Sequence, residues 1–153
     1  MIIIKKATIQ NARSISYLIQ KNTEGNPNHY SDIQLNTWKS YNTTSKIKAQ
    51  FLEREIYIAY KGNRLVGTIA LKKNEIAGFY VSYSQRGKGI GKQLLYFIQK
   101  KAVDKDYKEL ILTATPSAVK FYTNHGFTLI EEVTVTLNKI AYQEFAMKKT
   151  LVK

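Results

Sequence analysis

A glycine-rich segment between an expected strand and an expected helix constrains the fold of this chain more than any other feature. It reads Arg86-Gly87-Lys88-Gly89-Ile90-Gly91-Lys92 and holds three of the eight glycines in the chain. Glycine lets a backbone approach a ligand closely and adopt positive φ angles, and the free N–H groups at a helix start attract anions. Arg86, Lys88 and Lys92 add positive charge. The segment is therefore a candidate phosphate-binding loop.

The spacing of these glycines differs from that of two common phosphate-binding loops. A Walker A loop places its glycines five positions apart and follows its lysine with Ser or Thr, whereas Gly91 lies four positions after Gly87 and Gln93 follows Lys92. A dinucleotide-binding loop needs a third glycine where this chain has Lys92. On spacing alone, a glycine-rich turn without a ligand stays open as an alternative.

Hydrophobic periodicity divides the chain into a helical beginning and a β-rich remainder. Ser31 with Gln34 three positions later predicts a capping box, and the run from Lys61 to Arg64 predicts a hairpin turn. Predicted helices cover about residues 11–21, 31–41, 45–52, 91–103 and 116–125. Predicted strands cover residues 2–7, 56–60, 65–72, 75–81, 109–114, 127–137 and 140–147. The pattern predicts an α/β fold (α+β, with a mixed sheet flanked by helices), its main elements in the order β-α-α-β-β-β-α-β-α-β-β.

Composition narrows the classes of protein that this chain can belong to. Its 153 residues predict a single domain over residues 1–153, 44% of them are hydrophobic, and there is no cysteine. Disulfides and thiolate chemistry are excluded, and two distant histidines predict no metal site. The N-terminus has too short an apolar run for a signal peptide, so we expect a soluble, cytoplasmic protein without a membrane partner.

The net charge of +13 favours an anionic partner. Because the lysines are scattered along the chain, we expect that partner to be a phosphate-rich small molecule, with no nucleic acid bound. A nucleic-acid-binding domain and an ordinary solvated surface are the alternatives, and a salt-dependent shift assay would test the first of them.

Two segments together resemble the GNAT superfamily of N-acetyltransferases. Arg86-x-x-Gly89-x-Gly91 is similar to the family's acyl-CoA pyrophosphate signature, (Gln/Arg)-x-x-Gly-x-(Gly/Ala), and residues 76–81 before it resemble the family's fourth strand. The later run Ala118-x-x-Phe121-Tyr122-x-x-x-Gly126-Phe127 is similar to its second cofactor segment. The resemblance extends over residues 55–148, and covers the N-terminal helices only by layout.

The resemblance implies a cofactor, acetyl-CoA, and a set of residues that contact it. Strands four and five of the sheet are then expected to splay apart, so that unpaired strand edges bind the pantetheine arm. Thr115 stands where many members have Asn, which leaves fewer hydrogen-bonding groups there, and Ser117 could share the task. The implied cofactor contacts are Phe79, Tyr80, Val81, Arg86, Gly87, Lys88, Gly89, Ile90, Gly91, Lys92, Thr115, Ser117, Phe121 and Tyr122.

The same resemblance assigns candidate catalytic roles. Tyr122 is the expected general acid, because a phenol with an ordinary pKa of about 10 stays protonated at neutral pH. Glu75, eleven positions before Arg86, is the candidate general base, with ordered water or a solvated turn carboxylate as alternatives. The Val81 backbone N–H is the expected donor to the thioester carbonyl.

The acceptor site is expected between the N-terminal helices and the terminal hairpin. The expected reaction transfers acetyl to a primary amine of a small molecule or peptide, by direct attack in a ternary complex. The alternative is a non-catalytic module that senses acyl-CoA, and either could be a monomer or a homodimer. Trp38 could instead anchor its helix in the core, and His29 could be an ordinary loop residue. The candidate lining residues are His29, Tyr30, Trp38 and Tyr142.

Overall fold

A seven-stranded mixed sheet forms the centre of the computed structural model, which describes residues 1–152. The strand order across the sheet is β1-β2-β3-β4-β5-β7-β6, and every neighbouring pair is antiparallel except β4 with β5. The strands are β1 (Ile2–Lys6), β2 (Glu55–Lys61), β3 (Arg64–Lys72), β4 (Glu75–Val81), β5 (Glu109–Ala114), β6 (Thr128–Leu137) and β7 (Ile140–Thr150). The helices are α1 (Ala12–Glu24), α2 (Asp32–Ser40), α3 (Thr44–Gln50), α4 (Ile90–Asp104) and α5 (Val119–Asn124).

Alternation along the strands sends side chains to two separate apolar layers. On β2, Ile56 and Ile58 pack against α1 and α3, whereas Tyr57 and Ala59 face the layer under α4. In the second layer, the fully buried Leu94 of α4 packs with residues of β3, β5 and β7. The sheet therefore has helices on both faces, as the sequence predicted.

β4 and β5 are joined at one end only. Their register contains a single pair, Glu75 with Ile111, and the N–H of Ile111 donates to the Asn74 carbonyl at 3.0 Å. A bulge at Ala77 bends β4 just beyond this point, because Leu71 opposes Ile76 while Ala70 opposes Gly78. The strands then diverge, and this confirms the expected gap between strands four and five.

Arg54 supports the bulge from the layer of α1 and α3. Its Nη1 donates to the Ala77 carbonyl at 2.7 Å, and its Nη2 lies 3.0 Å from Glu53 Oε1. A bulge leaves one residue outside the ladder, so this bond satisfies a carbonyl that would otherwise lack a partner.

The boundaries that the sequence predicted hold within a few residues, and the capping box and the hairpin turn are confirmed. Ser31 Oγ accepts from the Gln34 N–H at 3.3 Å, and Gly62 turns the hairpin at a φ of 64°. β7 runs three residues beyond its predicted end at 147, because it continues to pair with β5 up to Thr150. The segment after Ala114 begins as a 3₁₀ turn, Pro116–Ala118, before α5.

Within residues 1–152, no helix combines the length and the apolar character that a membrane crossing requires.

Candidate active site

The glycine loop presents free N–H groups at the start of α4. Gly87 and Gly89 have φ angles of 77° and 82°, and a Cβ atom at either position would meet no atom within 4 Å. Gly89 is the N-cap of α4, and its carbonyl accepts the first hydrogen bond of the helix, from the Gln93 N–H at 3.1 Å. The three N–H groups before Gln93, those of Ile90, Gly91 and Lys92, therefore lack a partner one turn earlier in the helix.

Basic side chains surround this helix start. Arg86, Lys88 and Lys92 are all exposed, and the Arg86 guanidinium lies 4.5 Å from the centroid of the Tyr83 ring. Stacking on the ring orients the guanidinium without neutralising it. The positive end of the helix dipole adds to these charges, so the loop has the charge and the free N–H groups that an anion would need.

The backbone of β4 directs alternate peptide groups into the gap. The Ser82 N–H donates to the Val66 carbonyl at 2.8 Å, which makes Ser82 a hydrogen-bonded partner of β3. Because such pairs alternate along an antiparallel ladder, Tyr80 also bonds β3, whereas the peptide groups of Phe79 and Val81 face β5. Within residues 1–152, the peptide groups of these two residues have no strand partner beside the glycine loop, and of them only the Val81 carbonyl is bound by a side chain.

Asn22 fixes one of these groups from the end of α1. Its Nδ2 donates to the Val81 carbonyl at 2.7 Å, and the side chain is buried. This contact explains why α1 continues three residues past its predicted end at Lys21: the polar Asn22 breaks the apolar pattern, but it is held by β4.

Tyr122 lies on α5 against the side chains that enter the gap. It is buried, and its ring centroid lies 6.2 Å from that of Phe79, 5.4 Å from Phe121 and 5.5 Å from Phe127. Burial raises the pKa of the Tyr122 hydroxyl above its ordinary value, and the nearby Tyr80 raises that pKa further. The phenol is therefore a proton donor at neutral pH.

The end of β5 meets the loop that follows α1. Thr115 is half-buried, and its carbonyl accepts from the Ala118 N–H at 3.0 Å. The backbone N–H of Ser117 donates to Asn28 Oδ1 at 2.7 Å, while the Ser117 side chain is exposed. Asn28 thus ties the 25–30 loop to the start of α5, a role that the sequence did not reveal.

Three of the four expected acceptor-lining residues come together on the face of the sheet opposite to α4, beneath α2. The Tyr142 ring lies 5.5 Å from that of Tyr30 and 5.7 Å from that of Trp38, and its hydroxyl donates to the Gln34 carbonyl at 2.6 Å. Tyr142 is fully buried and Trp38 is half-buried. His29 is exposed on the loop at a φ of 56° and does not join this group.

Comparison with known proteins identifies the family. Residues 26–151 match the family described as the acetyltransferase (GNAT) domain. The chain belongs to the GNAT acetyltransferase family. This membership places it among acyltransferases and accounts for the splayed strands and the glycine loop.

Solved structures share the whole GNAT fold with this chain. A GCN5-related N-acetyltransferase from Rhodopseudomonas palustris has a TM-score of 0.91 at 22% identity, over 97% of this chain and 95% of that one. The PaiA N-acetyltransferase from Thermoplasma acidophilum, in complex with coenzyme A, has a TM-score of 0.83 at 21% identity, over 98% of this chain and 99% of that one. An N-acetyltransferase from Staphylococcus aureus has a TM-score of 0.78 at 21% identity, over 100% of this chain and 99% of that one. No curated protein matches this sequence.

Glu144 is a buried acidic residue that the sequence interpretation did not single out. It lies on β7 and is only 3% exposed, and within residues 1–152 its Oε2 has no hydrogen-bond partner. Burial raises the pKa of its carboxyl, an effect that the nearby Thr113 hydroxyl opposes. The available signal was a glutamate two positions after Tyr142 in a strand, where alternation sends both side chains to the same face.

Glu75, the expected base, lies where β4 and β5 are still paired. It is half-buried and opposes Lys72 on β3 as well as Ile111 on β5. Five residues of strand, about 17 Å at 3.3 Å per residue, separate it from Tyr80. Glu75 is thus at the closed end of the gap, and the glycine loop is at the open end.

Proposed function

We propose that this GNAT chain transfers the acetyl group of acetyl-CoA to a primary amine, by direct attack within a ternary complex. The observation that carries the proposal is the gap between β4 and β5, into which the peptide groups of Phe79 and Val81 project beside an open glycine loop. A phosphate group fits the loop because both positive-φ glycines face empty space. An amide-bearing arm fits the gap because it can pair with the free strand edge.

The residues implied by the family resemblance divide between the two ends of such a cofactor. The N–H groups of Ile90, Gly91 and Lys92, with the charge of Arg86, would hold the pyrophosphate. Gly87, Lys88 and Gly89 belong to the same loop. The other implied contacts would line the arm: Phe79, Tyr80, Val81, Thr115, Ser117, Phe121 and Tyr122. The T. acidophilum relative was solved with coenzyme A, which supports this assignment.

Each catalytic need has a candidate group in the chain. Acetyl-CoA supplies an activated thioester. The amine nitrogen attacks its carbonyl carbon, so that a carbon–nitrogen bond forms and the carbon–sulfur bond breaks. The Val81 N–H can donate to the carbonyl oxygen as negative charge develops there. The Tyr122 hydroxyl can donate its proton to the departing sulfur. Ordered water, alone or as a relay to Glu75 at the closed end of the gap, can accept the proton that the amine loses.

The decisive binding experiment measures the melting temperature with and without acetyl-CoA. A ligand that binds only the folded state raises it by mass action, so we expect a saturable increase for the wild type. Gly89→Asp should abolish the increase, because it places a negative charge where the phosphates would lie. Gly62→Asp is the matched control, since Gly62 also has positive φ and open space around it but lies in the β2–β3 turn.

Loss of the increase in both variants would assign the effect to backbone strain, and retention in Gly89→Asp would refute the phosphate site. An acceptor screen that detects free CoA then tests turnover. Release of CoA with an amine supports the enzyme, whereas binding without release from any acceptor class would favour a non-catalytic acyl-CoA sensor.

A further inference from the structure

The buried carboxylate of Glu144 lacks a positive partner in a chain that has many to offer. Arginine and lysine number 24 against 11 acidic residues, yet none of the ion pairs within residues 1–152 includes Glu144. An unpaired charge taken out of water is costly unless something compensates it. The ionised carboxylate would therefore be compensated by a cation from outside the described residues, whereas without one the carboxyl would take up a proton more readily than an ordinary glutamate.

Aromatic side chains surround this carboxylate on the face of α2. Burial raises the pKa of Tyr30 to about 12, and the charge of Glu144 adds to the effect. The same charge contributes to the raised pKa values of Tyr80 and Tyr142, after burial in each case. Three phenols from the 25–30 loop, β4 and β7 thus lie within electrostatic reach of one carboxylate.

A second unsatisfied polar atom lies in the same cluster. Within residues 1–152 the Tyr30 hydroxyl is buried without a hydrogen-bond partner, as is Glu144 Oε2. One is an acceptor on a negative group, and the other can accept through its oxygen lone pairs. An ammonium group, which carries several N–H donors and a positive charge, can satisfy both.

Ring faces complete a site for a cation attached to an apolar body. Trp38 and Tyr30 both lie edge-to-face with Tyr142, at 5.7 Å and 5.5 Å between centroids. Aromatic faces attract alkylammonium groups and also cover the methylene chain that carries them.

The cluster lies beside the proposed reaction centre. Phe145, the residue next to Glu144 on β7, opposes Ala114 at the end of β5, where the gap to β4 is open. Thr113 on β5 neighbours Glu144, and its strand forms one side of the gap. An amine held here is close to the place where the thioester would lie.

We propose that Glu144, with the hydroxyl of Tyr30 and the ring of Trp38, forms the acceptor subsite beside the buried Tyr142 ring, and that it selects a cationic alkylamine. This inference deepens the proposed function and rests on it for the identity of the reaction. Glu144 acts as the acceptor-binding residue, because its carboxylate would contact the ammonium directly.

The single tryptophan of the chain provides the test, since it is Trp38 and lies in the cluster. Hexylamine is titrated against the full-length protein at pH 7 while Trp38 fluorescence is recorded, with hexanol as the neutral probe of the same length. We expect saturable binding of hexylamine and at least 10-fold weaker binding in Glu144→Gln. Glu131→Gln, an exposed acid on β6, is the matched control and should bind like the wild type.

Glu144→Asp keeps the charge on a shorter side chain and should bind hexylamine more tightly than Glu144→Gln does. Equal binding of hexylamine and hexanol, equal binding by wild type and Glu144→Gln, or no saturable response in the wild type would each overturn the proposal. Because no acyl donor is added, the result is independent of turnover. Amine binding without acetyl transfer would refute the proposed function alone, and transfer without a Glu144 effect would refute this inference alone.

Discussion

Burial keeps the Tyr122 hydroxyl in its proton-donating form. Its raised pKa leaves the phenol protonated at every pH where the fold is expected to work, so it contributes no ionisation to the pH dependence near neutrality. The residue therefore carries a proton that it could give to a thiolate, and the raised pKa also makes it a weaker acid than an ordinary tyrosine.

Tyr122→Phe should lower kcat about 10- to 1,000-fold, the range of a lost general acid, and should leave acetyl-CoA binding nearly unchanged. The ring contacts with Phe79 and Phe127 remain in the variant, so the melting temperature is the control for folding. Full turnover by the phenylalanine variant would remove Tyr122 from the mechanism.

Glu75 and Glu144 are two acidic residues with different expected roles, and pH dependence separates them. If Glu75 is the base, Glu75→Gln should depress kcat/KM most strongly at low pH and recover as pH approaches the acceptor's own pKa. The reason is that a neutral amine needs no help with deprotonation. The pH–rate profile of the variant, measured with an acceptor found in the screen, provides the check.

A profile that superimposes on the wild type would make Glu75 a structural residue of the closed end of the gap.

Glu144→Gln should instead raise the acceptor KM. Because the carboxyl pKa is raised, the wild type itself should lose acceptor affinity as pH falls, at a higher pH than an ordinary glutamate would require. Tyr30, Tyr80, Tyr142 and Thr113 face this carboxyl.

At the level of elements, α2 carries one side of the proposed acceptor site. Gln34 connects it to β7 twice: its Nε2 donates to the Ala141 carbonyl at 2.8 Å, and its own carbonyl accepts from Tyr142. The same residue closes the capping box with Ser31. The cap and the docking of α2 are thus one connected arrangement.

Ser31→Ala should destabilise the protein by about 1 kcal/mol, the usual effect of a lost N-cap, and should also raise the acceptor KM severalfold. Thr43→Ala is the matched control, because Thr43 caps α3 through the Lys46 N–H and α3 packs on α1 away from β7. Denaturant unfolding measures the first effect, and steady-state kinetics measure the second. An equal change of KM in both variants would show that α2 has no special part in the acceptor site.

For the whole molecule, the sequence predicts what local patterns determine. The meander of β2 to β4, the glycine loop and α4 follow from alternation, turn residues and helical spacing over short stretches. Glu144 was not predicted as a site residue, because Tyr30 and Tyr80, which its charge affects, are far from it in sequence and come near it only in the folded protein. The gap beside β4 was available only through the family resemblance, since no local pattern marks where two strands diverge.

During synthesis, β5 leaves the ribosome later than β1 to β4, and this order affects the incomplete chain. Apart from the short pairing of β4 with β5, the sheet partners of β1 to β4 are contained in residues 2–81, so this half can pair while the ribosome is still making residues 109–114. During that interval β4 is an uncovered sheet edge, the kind of surface on which nascent chains aggregate. A bulge bends such an edge away from foreign strands. The bulge at Ala77, beyond which β4 and β5 diverge in the folded protein, would thus also reduce aggregation of the incomplete chain.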